Sequence, residues 1–194
     1  MKIRQLAVLC LVIVITIVPG CKPGVKGYKP FAYKSQMGGS ILYCRLSEGV
    51  QFLDDVNSPI GVMSPGSSIE VPRCQSWGIL VLVGNMPGLA KEWNENKVPE
   101  LTIVDRKPPR WMESDFTILS ELKTITRLDL SFCPLITDNT LAHVANMKNL
   151  KTLYLPQDAK ITDKAIADLK TKLPELKIET GIISNNFEEA LNRS

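Results

Sequence analysis

Ile136-Thr-Asp-Asn-Thr-Leu-Ala-His-Val-Ala-Asn-Met-Lys-Asn-Leu-Lys-Thr-Leu-Tyr-Leu155 decides the fold, because Trp111 to Leu130 carries the same apolar pattern 25 positions earlier. Trp111 falls on Ile136, Phe116 on Leu141, Leu119 on Val144, Leu122 on Met147, Ile125 on Leu150, Leu128 on Leu153 and Leu130 on Leu155, without a gap. A third copy begins at Ile161-Thr-Asp163, passes through Ile166 and Leu169, and closes on Leu173, Leu176 and Ile178 after a loss of two residues before its strand. Repetition at this period predicts a solenoid, in which no unit can bury its own apolar face and each stacks on the next.

The apolar period changes inside each unit. Leu141, Val144 and Met147 are three apart, a helical stripe, whereas Leu153 and Leu155 alternate with Thr152 and Tyr154 as in a short strand. Thr137-Asp138 and Thr162-Asp163 stand where the helices should begin, and their side-chain oxygens suit the unpaired first-turn amides. Together Ile125, Leu128, Leu130, Cys133 and Ile136-Thr-Asp138 spell Leu-x-x-Leu-x-Leu-x-x-Cys-x-x-Ile-Thr-Asp with Ile in the first position, which resembles the cysteine-containing class of leucine-rich repeats. The third copy has Asp158 at the Cys position and the first has Arg106-Lys-Pro-Pro109 there. The fold expected from this resemblance is α/β, a short leucine-rich-repeat solenoid of about four β-α units over 77–180, preceded by a small β-rich segment.

On the N-terminal side, Leu80-Val-Leu82 and Leu101-Thr-Ile103 read as strands with Leu89, Trp93 and Val98 at helical spacing between them, a degenerate first unit covering the open core. On the C-terminal side, residues 181–194 hold Phe187 and Leu191, which a short capping helix could lay over the last unit.

The leader is the second strong signal. Lys2 and Arg4 precede an apolar run from Leu6 to Val18, too short for a comfortable bilayer span and proportioned as a secretory signal. Val18-Pro-Gly-Cys21 resembles a bacterial lipobox, although Pro19 is an unusual member of it. The resemblance implies removal of residues 1–20, lipid on Cys21, and a protein held on the cell membrane or the outer membrane and facing away from the cytoplasm. Residues 21–40, rich in Gly, Pro and Lys, read as a flexible tether. Residues 41–76 alternate short β-type runs with Gly and Pro punctuation, and Ser58 to Val71 with Trp77-Gly78 is faintly similar to the bacterial Src-homology-type barrel, a wall-associated module. Cys44 and Cys74 flank this part; an exported chain favours a disulfide between them, the alternative being two buried thiols.

With 23 basic and 20 acidic residues, two of the basic ones in the leader, the chain has no electrostatic footprint for nucleic acid. Its single histidine, His143, turns away from the apolar stripe, so a metal site lacks ligands and none is expected. Cys133 lacks an assigned base, and the repeat resemblance makes it a buried turn residue. Phosphate loops and hydrolase elbows are absent from the sequence, so neither catalytic residues nor a cofactor are expected. The expected function is binding of a protein partner by a monomer, through residues flanking the strand leucines. Three rows are predicted: Thr102, Asp129, Tyr154 and Lys177; Glu100, Arg127, Thr152 and Glu175; Val104, Ser131, Pro156 and Glu179. Arg127, Asp129, Phe132, Tyr154, Thr152 and Lys177 are the candidate contacts, with Phe132 expected to be exposed. The cations of Arg106 to Arg110 form a lesser candidate for anionic polymers, and the 41–76 segment an alternative wall-binding part.

Overall fold

The computed structural model describes residues 27–36, 40–45, 57–81, 88–105 and 112–180. The leader with Cys21, the cationic loop 106–110 and the C-terminal segment 181–194 lie outside these described residues.

A mixed α/β architecture results, built on a mostly parallel seven-stranded sheet. Its strands are β2 (Ser40–Arg45), β3 (Asn57–Val62), β5 (Ser76–Val81), β6 (Glu100–Val104), β7 (Arg127–Phe132), β8 (Thr152–Leu155) and β9 (Lys177–Thr180), in the order β3-β2-β5-β6-β7-β8-β9. From β5 onward every neighbour is parallel, and a helical segment fills each crossover, as parallel pairing requires. These segments are α1 (Leu89–Glu95), a 3₁₀ helix (Glu113–Glu121), α2 (Asp138–Val144) and α3 (Asp163–Lys172). They pack one on the next, and their apolar sides meet the inward strand residues Ile79, Val81, Leu101, Ile103, Leu128, Leu130, Leu153 and Leu155 in one core. Each fully buried aliphatic side chain there is worth roughly 1.5–3 kcal/mol.

The helix starts follow the sequence closely. Thr137 and Thr162 are the N-caps, their hydroxyls accepting from the Asn139 and Ala165 amides, and Asp138 and Asp163 open the helices as first-turn acids. Capping also joins neighbours. The Thr137 and Thr140 hydroxyls donate to Glu113 at 2.8 and 3.2 Å, and the Thr162 hydroxyl and amide both donate to Asp138 at 2.8 Å.

Two expectations about the chain's course are corrected here. The third copy loses no residues before its strand, because Thr152 pairs with Lys177 and Leu153 with Ile178, a full 25-residue step. Instead α3 runs ten residues against seven in α2, and the buried positions after it slip by one, to Leu173 and Leu176. The expected tether ends earlier than residue 40. Phe31–Lys34 forms β1, antiparallel to β4 (Ser68–Val71), and Tyr33 is fully buried. Glu92 of α1 fastens this ribbon, accepting from the Tyr33 hydroxyl (2.9 Å), the Ser35 hydroxyl (3.1 Å) and the Gln36 amide (2.8 Å). That network satisfies a carboxylate 3% exposed, whose burial would otherwise be costly. The β-rich 41–76 segment joins the main sheet, since β2 pairs antiparallel with β5.

Cys44 and Cys74 are both buried, and the expected disulfide between them is not formed in this structure. The register sets Trp77, and not Cys74, across from Cys44, and Cys74 bridges Tyr28 instead.

Candidate functional site

The sheet face away from the helices carries two rows fixed by strand register. One runs Tyr43, Gly78, Glu100, Arg127, Thr152, Lys177, and the other Ile41, Leu80, Thr102, Asp129, Tyr154, Glu179. Lys177 therefore stands beside Thr152 rather than Tyr154, and Glu179 takes the place beside Tyr154. The slip follows from the third copy keeping its 25-residue step.

Glu100 is the centre of the first row. Only 6% exposed, it accepts from the Tyr43 hydroxyl at 3.3 Å and from the Ser76 hydroxyl, and its carboxylate lies 3.9 Å from Arg127 Nε. Gly78 makes this approach possible. A Cβ at that position would collide with the Tyr43 ring and with the Glu100 carbonyl, so the missing side chain is the space in which Tyr43 lies across the sheet. Arg127 is oriented on its other side by Tyr154, whose ring centroid is 4.2 Å from the guanidinium carbon. Such stacking is worth about 0.5–1 kcal/mol at exposed sites and more when desolvated. The Arg127 side chain is 17% exposed, and its guanidinium makes no hydrogen bond to a described residue.

Phe132 departs from the expected exposure. Strand β7 has a bulge opposite β6, so that Thr102 pairs with Asp129 but Val104 with Phe132. The Asp129 carboxylate supports this bulge by accepting from the Ser131 amide (3.0 Å) and hydroxyl (2.6 Å). Phe132 thereby replaces Ser131 in the third row and packs half-buried against Tyr43, Leu80, Val104 and Ile41, an apolar cluster separate from the main core. Asp129, 7% exposed and engaged with its own strand, is poorly placed to meet a partner. Thr152 is half-buried, whereas Lys177 is exposed and pairs with Glu179 at 2.7 Å, which holds its ammonium above the ordinary lysine range. The face thus offers Arg127, Thr152, Tyr154, Phe132 and Lys177 together, with Asp129 beneath them.

Two residues singled out in the sequence have structural surroundings. Cys133 is buried in the turn after β7 and donates to the Ile103 carbonyl at 3.3 Å; burial, with the Asp105 and Asp129 charges nearby, pushes its thiol well above the usual range. A thiol held neutral in this way is a poor nucleophile. His143 is half-buried on α2, with Nδ1 2.9 Å from the Ser120 hydroxyl. Among the described residues no group of three or more His, Cys, Asp or Glu is arranged to hold a metal, and no helix is long and apolar enough to cross a membrane.

Sequence reasoning missed the Glu100 network and the Glu92 anchor. Alternation places Glu100 in the outward row of Arg127 but does not announce its bonds to Tyr43 and Ser76, and α1 holds two acids, Glu92 and Glu95, with nothing local to tell the buried one from the exposed one. Compared with known proteins, the sequence matches no family model and no curated protein.

Proposed function

We propose that this chain is a lipid-anchored envelope protein, not an enzyme, whose short leucine-rich-repeat solenoid captures a protein partner on the outer sheet face. The observation that carries this reading is Arg127. It is stacked on Tyr154, steadied by buried Glu100 and left with no hydrogen bond to a described residue, so its planar donors are oriented before any partner arrives. Arginine and aromatic side chains in partly desolvated positions are the usual anchors of interfaces. The 25-residue strand step, the helix in each crossover and the buried Cys133 support the repeat reading; the short apolar leader ending in Cys21 supports the anchor.

The test is affinity capture from an envelope extract with the full chain, its Arg127→Ala variant and a control, Lys170→Ala on exposed α3. Capture of the same partner by wild type and control, reduced at least tenfold in Arg127→Ala, is the expected outcome. Equal capture by all three proteins would remove the outer face from the reading.

A second reading, wall binding through the β-rich part, draws on Val62, which is 70% exposed at the end of edge strand β3 beside half-buried Ile41. Since β2 is paired into the main sheet, deletion would unravel the fold, and Val62→Asp is the cleaner probe. Loss of polymer binding in Val62→Asp with partner capture intact would favour it.

A further inference from the structure

The two edges of the seven-stranded sheet are built differently. Strand β3 closes one edge with Pro59, which has no amide hydrogen to donate, and with a bulge where it meets β2. Both are devices that discourage further pairing. Strand β9 closes the other with Lys177-Ile-Glu-Thr180, regularly paired to β8 on one side and bearing neither proline nor bulge. The layer behind it is equally unfinished. Among the described residues, eight half-buried apolar ones pack at the margin of the main core, and five of them belong to the last unit: Ala159, Ile161, Ala165, Ile166 and Ile178. Their counterparts one unit earlier include Leu141 and Leu153, which are 2% and 0% exposed.

We propose that β9 is the contact strand of a symmetric homodimer, in which two copies join their sheets edge to edge about a two-fold axis at Ile178. The register selects itself. Directly opposed residues of an antiparallel pair lie on one face, so continuing the sheet with both cores on the same side requires Ile178 to meet another inward residue. Three registers satisfy that condition over the length of β9. Centring on Lys177 sets lysine against lysine, and centring on Glu179 sets glutamate against glutamate. Centring on Ile178 places Lys177 opposite Glu179 of the second copy at both ends of the ladder and joins the two isoleucines. Opposite charges directly across a pair stabilise it and like charges oppose it. The same two-fold brings the α3 helices of the copies alongside each other over Ile161 and Ile166, completing the core margin that one copy leaves half-covered. A self-association of this kind revises the monomer expected from the sequence.

The test uses the full chain in detergent micelles, followed by sedimentation velocity and native mass spectrometry. Wild type is expected to be a dimer at tens of micromolar. Lys177→Glu puts four acids at the junction and Glu179→Lys four lysines, and each variant alone is expected to dissociate at least tenfold more readily. Mixing these two variants restores complementary charge across the junction but not within either strand, so a mixed dimer of wild-type affinity is the decisive result. Three outcomes would overturn the proposal: a wild-type monomer at 200 µM, a dimer that persists in both single variants, or a mixture that stays monomeric. A wild-type monomer whose β9 amides are nevertheless protected from hydrogen exchange would assign the edge to the chain's own residues 181–194.

Discussion

Among the described residues the sheet has a well-covered end and a less covered one, and the contrast bears on what makes a stack of strand-helix units stop. At the β3 end the hairpin, the β1–β4 ribbon and the Glu92 network wrap the first parallel strand, and β5 is buried along nearly its whole length. At the β9 end the burial pattern falls to half-exposure, and no residue corresponding to Leu153 is fully covered. Units of one sequence pattern therefore differ in stability according to whether they have two neighbours. Truncating Leu153 should leave an interior cavity and cost about 2–5 kcal/mol. Ile178→Ala, one unit on at the same register position, should cost less than half as much, because its methyls already meet solvent. Urea denaturation of both variants measures the difference, and equal losses would mean that the two ends are equally closed.

Much of this was legible in the sequence because it depended on periodicity. Leu141 and Val144 lie buried on α2, the alternation of Leu153 and Leu155 and the caps at Thr137 and Thr162 appear where the spacing places them, and only Met147 departs, buried but two residues past the α2 C-cap. What was not legible depended on pairings far apart in the chain. Phe132, expected to be exposed, is half-buried opposite Val104 because a bulge forms where Asp129 bonds Ser131, and alternation has no means of announcing an extra residue. Glu92 carries no local sign of burial, because its partners Tyr33, Ser35 and Gln36 come from a stretch whose Gly, Pro and Lys content imitates a linker. Lys177 was assigned to the wrong row because the longer α3 mimics a shortened strand approach. Of the candidate contacts, Arg127 and Tyr154 came together as neighbours, while Asp129 turned to its own strand.

Alkaline pH sharpens the comparison, since the thiols whose ionisation burial opposes sit at the well-covered end and in the middle. Cys44 on β2 is raised by burial, and Cys133 by burial and then by the charges of Asp105 and Asp129. Each folded thiol stays neutral above the unfolded value of about 8.5, so its stabilising contribution is whole below that pH and declines as pH rises past it. The slope approaches about 1.4 kcal/mol per pH unit for each such thiol. The urea midpoint should fall from pH 8.5 to 9.5, and Cys133→Ala should remove one thiol's share of the slope whatever it does to the midpoint itself. An unchanged slope in that variant would mean that Cys133 ionises as readily in the fold as outside it.

The smallest effect addresses the junction between units directly. Glu113 receives the hydroxyls of Thr137 and Thr140, and Asp138 receives the amide and hydroxyl of Thr162, so the starts of α2 and α3 are each held by an acid from the unit before. Asp163 is the next acid in this series, exposed and without a hydrogen-bond partner among the described residues. Both aspartates sit in a first helical turn, so dipole and propensity effects of replacing them are alike. What differs is the neighbour. Asp138→Ala should cost about 1 kcal/mol more than Asp163→Ala, the worth of two charge-assisted bonds at a solvent-exposed site. The comparison holds for the monomer; if the last unit gains a neighbour through β9, raising protein concentration should stabilise both variants in parallel, since Asp163 lies at the head of α3 and not on the joining strand. Equal losses in the two variants would show that the acid series only caps its own helices, and that the units are tied together by their leucines alone.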